Sequence, residues 1–334
     1  MTRSRLLWPI GGIVLVLALY SAYWVFASFR LRAEVGNWIA AQESAGYSIE
    51  HEGLHVGGFP YRFDIRFDAP HITAPQSDGG WDAHFASVSA NAVPYDLSHW
   101  ILSFGGPVLL NDYIEPGSAL ELNAGDARIS LVYNSAGETE RVGAEFRALE
   151  ITTHAGTPPG IRSVEQMLMS GLVEDSDQLR LRIELHDVTA SDGILDDGVA
   201  LAFGTTASLA RIDLEVTQWA ALARGADALA WRDAGGLLNI AESQLDWGPA
   251  HVTGTGDFTL DSQARPDGRL SLRITDPDTL ADALVESGIV PQENERYLRY
   301  AAMMAPRGPE GVSLPFRIRE GDIYLGPVRI GTID

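Results

Sequence analysis

The longest apolar run lies at the amino terminus, where Leu6–Phe29 contains no charged residue. At about 1.5 Å per residue, a helix of this length reaches roughly 36 Å, enough to cross a bilayer with some tilt. A cleaved signal peptide is the alternative, with Val25-Phe26-Ala27 as its processing site, but its apolar core would be shorter, about 7–15 residues. The run therefore predicts a transmembrane anchor. Aromatic residues stand towards its two ends, as in an interfacial belt: Trp8, Tyr20, Tyr23 and Trp24.

The orientation of this anchor depends on more than its flanking arginines, because Arg3 and Arg5 precede it and Arg30 and Arg32 follow it. The free amine adds charge to the short side, and a long carboxy-terminal region translocates largely regardless of charge. We therefore expect a protein of the inner membrane with most of its chain in the periplasm. The predicted parts are a cytoplasmic tail at 1–5, a transmembrane helix at 6–29, a juxtamembrane helix at 30–46 that ends at Gly46, and a periplasmic β-rich domain at 47–334.

After residue 46 the period of the apolar positions changes to two. In 61–68, apolar side chains at odd positions alternate with charged ones at even positions. The same alternation recurs at 179–186, 270–274 and 314–319. Strict alternation predicts strands with one apolar and one wetted face, as antiparallel sheets have.

Clusters of Gly, Asp, Asn, Ser and Glu separate these runs and predict turns. Two of the clusters predict tight hairpins, one that joins 258–260 to 270–274 and one that joins 314–318 to 323–330. The clusters lie at 77–80, 134–137, 191–193, 196–198, 266–268 and 320–322.

Helical spacing is rare, and the helical segments do not alternate regularly with the strands, which argues against a doubly wound sheet. The predicted fold class is mainly β (α+β): an N-terminal transmembrane helix followed by an elongated, twisted antiparallel β-sheet domain with a few helical inserts. Residues 47–334 form either one domain or two lobes with a seam near 217–233. The predicted inserts are Ser163–Leu172, Thr217–Asp233, Thr279–Glu286 and Glu293–Met304.

A faint internal repeat links 245–252 and 323–330, which share the order apolar, any residue, apolar, Gly, Pro. Gly-Pro inside a strand predicts a bulge or an edge position. Two copies suggest a sheet built from similar units.

The composition excludes several kinds of catalytic and metal-binding site. The 24 basic residues are all Arg, against 45 acidic residues, and the net charge is −21. Without Lys there is no Schiff-base lysine and no Walker-type phosphate loop. Without Cys there is no thiol nucleophile, no disulfide and no thiolate metal site. The acidic balance argues against a nucleic-acid partner, and nothing in the sequence indicates a cofactor.

One segment, His51-Glu52-Gly53-Leu54-His55, matches the His-Glu-x-x-His pattern of zinc peptidases. That pattern works on a helix, which puts both His on one face with the Glu as general base. Here Gly53 interrupts the segment, and Gly57, Gly58 and Pro60 follow. We therefore predict no metal site and a strand or loop, with a metal-dependent hydrolase as a remote alternative that a helical 51–55 would favour.

The aromatic run at the first predicted strand is the most distinctive local feature. Its apolar side is either core, packed on helices, or a lipid-facing groove. The pattern does not distinguish the two, because a buried face and a lipid-filled face have the same sequence. In the groove hypothesis these residues line the site, and replacing Phe63 and Phe67 with Asp abolishes lipid binding while the fold survives. The candidate residues are Phe59, Tyr61, Phe63, Ile65 and Phe67.

Four stretches together resemble a proteobacterial family known as domain of unknown function 2125. They are the anchor, Gly57-Gly58-Phe59-Pro60-Tyr61-Arg62-Phe63, and the late Trp247-Gly248-Pro249 and Leu325-Gly326-Pro327. The resemblance covers most of the chain and implies no catalytic residue. More distantly the chain is similar to AsmA-like envelope proteins, which implies lipid movement or outer-membrane upkeep by analogy of architecture.

We therefore expect a non-enzymatic, inner-membrane-anchored periplasmic protein. Its partners would be the membrane itself and either lipid acyl chains or envelope proteins. Its role would be lipid binding or transport, or envelope maintenance. The alternative is a structural or assembly scaffold that binds a protein partner without a ligand.

Overall fold

The structure is a computed structural model that describes residues 4–174, 177–223, 227–292, 295–296, 299, 307–308, 311–326 and 328–333. A long N-terminal helix is followed by a large antiparallel β-sheet with few helices, which confirms the predicted fold class. The chain divides into two compact units. Unit 1 comprises Met1–Ser135 and Thr152–Thr157, and unit 2 comprises Ala136–Ile151 and Pro158–Asp334.

Helix α1 spans Ser4–Ser44 and joins the predicted transmembrane and juxtamembrane helices in one element. Its part Gly12–Ser44 is long and apolar enough to cross a membrane. The helix stops just before Gly46, whose φ of 96° lies in the left-handed region that glycine adopts without strain.

The strands of unit 1 form an antiparallel arrangement around β5, which pairs with β3, β4 and β6. Strand β2 pairs with β3, β1 pairs with β4, and β6 also pairs with β7 and β8. The strands are β1 Ser48–Glu50, β2 Gly53–Gly57, β3 Phe63–Asp68, β4 His71–Thr73, β5 Asp82–Val93, β6 Asp96–Asn111, β7 Ala119–Asn123 and β8 Asp126–Tyr133.

The strands of unit 2 form an antiparallel meander, in which neighbours along the chain pair from β9 to β15 and then from β17 to β19. Strand β15 pairs with β17, and the short β16 pairs with β17 as well. The strands are β9 Thr139–Ala155, β10 Ile161–Glu174, β11 Gln178–Ala190, β12 Thr206–Thr217, β13 Leu238–Trp247, β14 Ala250–Leu260, β15 Pro266–Ile274, β16 Arg307–Gly308, β17 Gly311–Arg319, β18 Asp322–Leu325 and β19 Val328–Thr332.

The helices of unit 2 that the structure describes are inserts in the connections between strands. Helix α5, Pro277–Glu286, confirms the predicted insert at 279–286, and the Asp276 side chain caps it by accepting from the Thr279 N–H. The predicted helix at 217–233 is instead two short helices, α3 Trp219–Ala223 and α4 Ala228–Asp233. Helix α2 is Asp197–Phe203. Most of the predicted helix Glu293–Met304 lies outside the described residues.

The predicted helix Ser163–Leu172 is wrong, because this segment forms strand β10. Its Leu and Met residues are good helix formers, yet the segment is paired on both sides, with β9 and with β11. Two ladders of backbone hydrogen bonds outweigh a helix propensity of a few tenths of a kcal/mol per residue.

The bulge or edge position predicted for the two Gly-Pro dipeptides is also wrong, because Gly248 and Gly326 lie in turns between neighbouring strands and not inside a strand. Trp247 pairs with Ala250, so Gly248-Pro249 is a two-residue hairpin turn between β13 and β14. Leu325 pairs with Val328 in the same way across residues 326 and 327. Glycine accounts for both turns, since Gly248 has a φ of 52° and Gly326 a φ of 57°.

Both predicted hairpins form, with differences at their ends. Strands β14 and β15 pair, but the turn lies at residues 261–265, because the Asp261 carboxylate accepts from the Gln263 and Arg265 N–H groups. Pro266-Asp267-Gly268 therefore belongs to β15. Strands β17 and β18 join through Glu320-Gly321, and their pairing stops at Leu325 because the chain turns there into β19.

The division between the two units lies near residue 135 and within β9, and not at the predicted seam near 217–233. That stretch sits inside unit 2. Strands β12 and β13, which flank it, pair with each other over eight residue pairs. The two short helices therefore lie in the connection between these strands, and the sheet continues past them.

Candidate functional site

Helix α1 packs its aromatic residues against the first long strand of unit 1. Trp24, Ala27 and Phe63 form a buried cluster, with Leu31 packed against it. The Trp24 and Phe63 rings stack with centroids 5.4 Å apart and planes 20° apart. Phe63 is fully buried. The apolar helix therefore supplies part of the core of unit 1 and is not a separate appendage.

Two loops of unit 1 contact the same stretch of α1. The Tyr23 hydroxyl donates to the Pro94 carbonyl oxygen at 2.9 Å, and the Tyr20 hydroxyl donates to the Pro60 carbonyl oxygen. Next to these contacts, Tyr61 is 83% exposed and Tyr95 is 88% exposed. Large aromatic side chains thus stand in solvent beside the apolar helix, where a bilayer interface accommodates them well.

The five residues predicted to line a groove separate into two groups. Phe63 and Ile65 are buried, at 0% and 4% exposure, so the structure favours the core interpretation for these two. Phe59 and Tyr61 are exposed, on the loop before β3. Phe67 is half-buried, and the His51 ring packs edge-on against it at 5.5 Å.

The His-Glu-x-x-His segment does not form the helix that a zinc peptidase needs. His55 lies in β2, and its Nε2 is 3.1 Å from the Asp68 carboxylate on the paired strand. His51 precedes the strand and contacts an aromatic ring instead. The two histidines therefore do not share one helical face.

Unit 2 carries a continuous apolar row that crosses seven strands. Consecutive register partners run from β11 through β15 to β17 and β18, and every one of them is only half-buried. At about 4.8 Å between strands, six steps make a row about 29 Å long. The row consists of Leu181, Leu214, Ile240, Gly256, Leu270, Phe316 and Leu325.

Fully buried hydrophobic residues are few among the described residues of unit 2. They are Ala144, Val164, Leu179, Trp231, Ala250, Ala281 and Val312. A closed two-layer domain would bury most of its inward-facing Leu, Ile and Phe side chains. The apolar face of unit 2 therefore keeps part of its surface accessible, as a face for apolar ligands would.

The opposite face of unit 2 carries charged pairs between neighbouring strands. The Arg182 guanidinium donates to both carboxylate oxygens of Asp213, one of them at 2.9 Å. These hydrogen bonds lower the pKa of Asp213 and raise the pKa of Arg182. Arg211 donates to Glu242 at 2.6 Å on the next pair of strands. The pairing of charges identifies this face as the wetted one.

Three potential metal ligands that the sequence analysis did not single out converge in unit 1. The Nε2 atoms of His71 and His84 and the Asp82 carboxylate lie within 4.8 Å of one another. Burial raises the pKa of Asp82, but hydrogen bonds from His71, Asn111 and Thr73 outweigh it, so the pKa is lowered. The arrangement keeps Asp82 ionised and in reach of both imidazoles.

A sequence signal for this convergence existed. The predicted turn at 77–80 lies midway between His71 and His84. A hairpin centred there pairs the two histidines across the strands, as β4 and β5 do. By contrast, no sequence pattern indicated that Trp24 packs on Phe63. The two residues are 39 positions apart, and they meet only because α1 packs against β3.

Comparison with known proteins gives one match. A family model described as "Uncharacterized protein conserved in bacteria (DUF2125)" matches residues 24–334. No curated protein and no solved structure matches the chain significantly. The distant likeness to AsmA-like envelope proteins stays a prediction.

Proposed function

The chain belongs to the DUF2125 family of bacterial proteins, and from that premise we propose that it is a membrane-anchored protein that holds lipid acyl chains on the apolar face of unit 2. The role is binding or passage of lipid and involves no catalysis. The observation that carries the proposal is the half-buried apolar row that crosses seven strands of unit 2.

The anchor in this proposal is α1, kept on the mature protein. Cleavage after Ala27 would remove Tyr20, Tyr23 and Trp24, which donate to Pro60 and Pro94 and cover Phe63. Phe63 would then lie open to water. Its place in the core supports a retained helix over a signal peptide.

The proposed location is the inner membrane, with the strands of unit 1 and all of unit 2 on the periplasmic side. This orientation requires translocation of the long carboxy-terminal region, which proceeds largely regardless of its charge. The exposed Tyr61 and Tyr95, next to α1, would then lie in the outer interface of the bilayer, close to the lipids that unit 2 would take up.

The apolar row suits an acyl chain for reasons of length and chemistry. It runs about 29 Å, and one acyl chain fits within this length, because each leaflet fills only about half of a bilayer's hydrocarbon core of about 30 Å. Each methylene removed from water contributes about 0.8 kcal/mol. Gly256 lies within the row, where an added Cβ would stand 2.6 Å from the Arg269 carbonyl oxygen, so the sheet itself requires glycine there.

A photo-crosslinking residue on each face of the same strand tests the proposal. Phe316 lies in the apolar row, and Arg317 follows it on the wetted face. We would replace each in turn with benzoylphenylalanine in the full-length chain, irradiate cells, and identify adducts by mass spectrometry. We expect phospholipid or acyl-chain adducts at position 316 and few or none at 317, since only the first side chain faces the lipid.

Three outcomes are informative. Lipid adducts confined to position 316 support the proposal. Equal yields at 316 and 317 contradict it, because such adducts would reflect general contact with membrane lipid. A discrete protein adduct at 316 without lipid would support the alternative, a scaffold that covers this face with a protein partner.

A further inference from the structure

His71, Asp82 and His84 of unit 1 place three metal-ligating groups together on one sheet face, with all ligand atoms within 4.8 Å of one another. We propose that these three residues form a binding site for a divalent transition-metal ion, with Zn²⁺ as the ion that fits the donor set. The site is distinct from the lipid-binding face proposed for unit 2 and does not depend on it.

Strand register is what brings the three residues together. His71 of β4 pairs directly with His84 of β5, and Thr73 pairs with Asp82. Residues two apart on a strand share a face, so all four side chains project on the same side of the sheet. Paired strands hold ligands more precisely than loops do.

The contacts within the group already point at a common centre. The His84 Nε2 is 2.9 Å from Asp82 Oδ1, and the His71 Nε2 contacts Asp82 Oδ2. The two imidazole rings are nearly parallel, with centroids 3.8 Å and planes 12° apart. Both Nε2 atoms and the carboxylate therefore face the same small volume.

A second layer of hydrogen bonds fixes the carboxylate. The Thr73 hydroxyl donates to Asp82 Oδ2 at 3.1 Å, and the Asn111 amide of β6 donates to Asp82 Oδ1 at 3.0 Å. Carboxylates that bind metals are held by outer hydrogen bonds of this kind.

The donor set selects the class of ion. Two imidazole nitrogens and one carboxylate oxygen suit Zn²⁺, which takes four ligands and leaves one position for water or a substrate in such three-ligand sites. His84 is exposed, so an ion from solution reaches the group. The exposed Glu50 of β1 occupies the register position next to His71, so a further carboxylate borders the open side.

The test is calorimetric titration of Zn²⁺ into the full-length protein in detergent, purified without a polyhistidine tag and stripped with a chelator. We expect one equivalent to bind. His71→Gln and His84→Gln should each lower the affinity about 100-fold or more, since losing a ligand costs more than losing an outer partner. Asn111→Ala should lower it about 10–100-fold.

The matched control is His251→Gln in unit 2. His251 also pairs with an aspartate on its neighbouring strand, Asp246, at 2.9 Å. We expect this variant to bind Zn²⁺ as the wild type does. The proposal is overturned if the wild type binds no Zn²⁺, or if His71→Gln and His84→Gln bind it as tightly as His251→Gln does.

X-ray absorption of the Zn²⁺-loaded wild type keeps the proposal testable if the histidine variants fail to fold. We expect two imidazole nitrogens at about 2.0–2.1 Å and carboxylate oxygen at about 2.0–2.2 Å. A first shell of oxygen alone would show adventitious binding to the acidic surface and would overturn the assignment.

Discussion

Among the described residues, Phe63 is the large side chain that is most completely buried, and its surroundings explain what the aromatic run does. It is fully buried, while Tyr61 only two residues earlier is 83% exposed. The alternation of apolar and charged residues predicted that both side chains lie on one face of the strand. The difference arises because Tyr61 lies on the loop before β3, outside the strand that packs on α1.

Phe63→Ala should lower the free energy of unfolding by about 3–5 kcal/mol, because it leaves a cavity under Trp24. Tyr61→Ala should change it by less than about 0.5 kcal/mol, because the side chain is in solvent. Denaturant titration of the full-length protein in detergent measures both. Similar losses in the two variants would contradict the assignment of Phe63 to the core.

The Arg182–Asp213 pair makes a prediction about pH. Hydrogen bonds from Arg182 lower the pKa of Asp213 in the folded state. Its contribution is therefore fully present above the unfolded pKa of about 3.9 and is lost as the pH falls through the folded pKa. Because Arg182 is largely exposed, the contribution stays below about 1 kcal/mol.

Thermal melts of Asp213→Asn and wild type should differ at pH 6 and converge as the pH falls through the folded pKa of Asp213. Asp257→Asn is the control, since its pair with Arg269 is a single 3.3 Å contact between two exposed side chains. We expect a smaller effect there. A difference between Asp213→Asn and wild type that does not shrink as the pH falls from 6 would show that the carboxylate charge is not the cause.

At the scale of elements, α1 is the segment whose role tertiary contacts define. Its part Gly12–Ser44 is a candidate membrane span, and the aromatic residues from Tyr20 to Trp24 in that part contact unit 1. One helix thus serves as candidate anchor and as core, which a removable signal sequence does not do.

We therefore expect the mature protein to keep residues 1–27 and to remain in the membrane fraction after carbonate extraction. Intact-mass measurement of the protein isolated from its native membrane checks this directly. A mature chain that begins at Ser28, in the soluble fraction, would contradict the retained anchor. Trp24→Ala should leave membrane retention unchanged but destabilise unit 1, which separates anchoring from packing.

The strands show which elements sequence alone can predict. At 63–68, 179–186, 270–274 and 314–319 the alternation is strict, and each segment is part of a strand. The segment 163–172 has Leu and Met at mixed spacing, and only its pairing with β9 and β11 makes it a strand. An alternation of apolar and polar residues can be read from a short stretch of sequence. The pairing of a strand cannot, because it depends on residues far away in the chain.

At the scale of the whole molecule, the charged pairs and the half-buried apolar row lie on opposite faces of the unit 2 sheet. The chain carries a net charge of −21, and Arg–carboxylate pairs lie on the wetted face of unit 2. The apolar row on the other face stays half-buried. A protein built in this way gains stability from whatever apolar ligand covers that row.

Removing bound lipid should therefore lower the melting temperature of the full-length protein, and adding it back should restore it. A ligand present at 100 times its Kd adds about 2.7 kcal/mol to the free energy of unfolding. Fatty acids of 16 carbons should stabilise more than those of eight, since each further methylene buried adds about 0.8 kcal/mol. Equal stabilisation by both lengths would contradict binding along the row.

The sequence by itself determined the anchor-length apolar helix, the antiparallel β character and the wetted and apolar faces of its strictly alternating strands. These follow from run length and from a period of two, which are local properties of the chain. Tertiary structure alone decided that Phe63 is core under Trp24 and that the Gly-Pro pairs turn the chain. It likewise decided that His71, Asp82 and His84 share one place, because contacts between distant residues depend on register and docking.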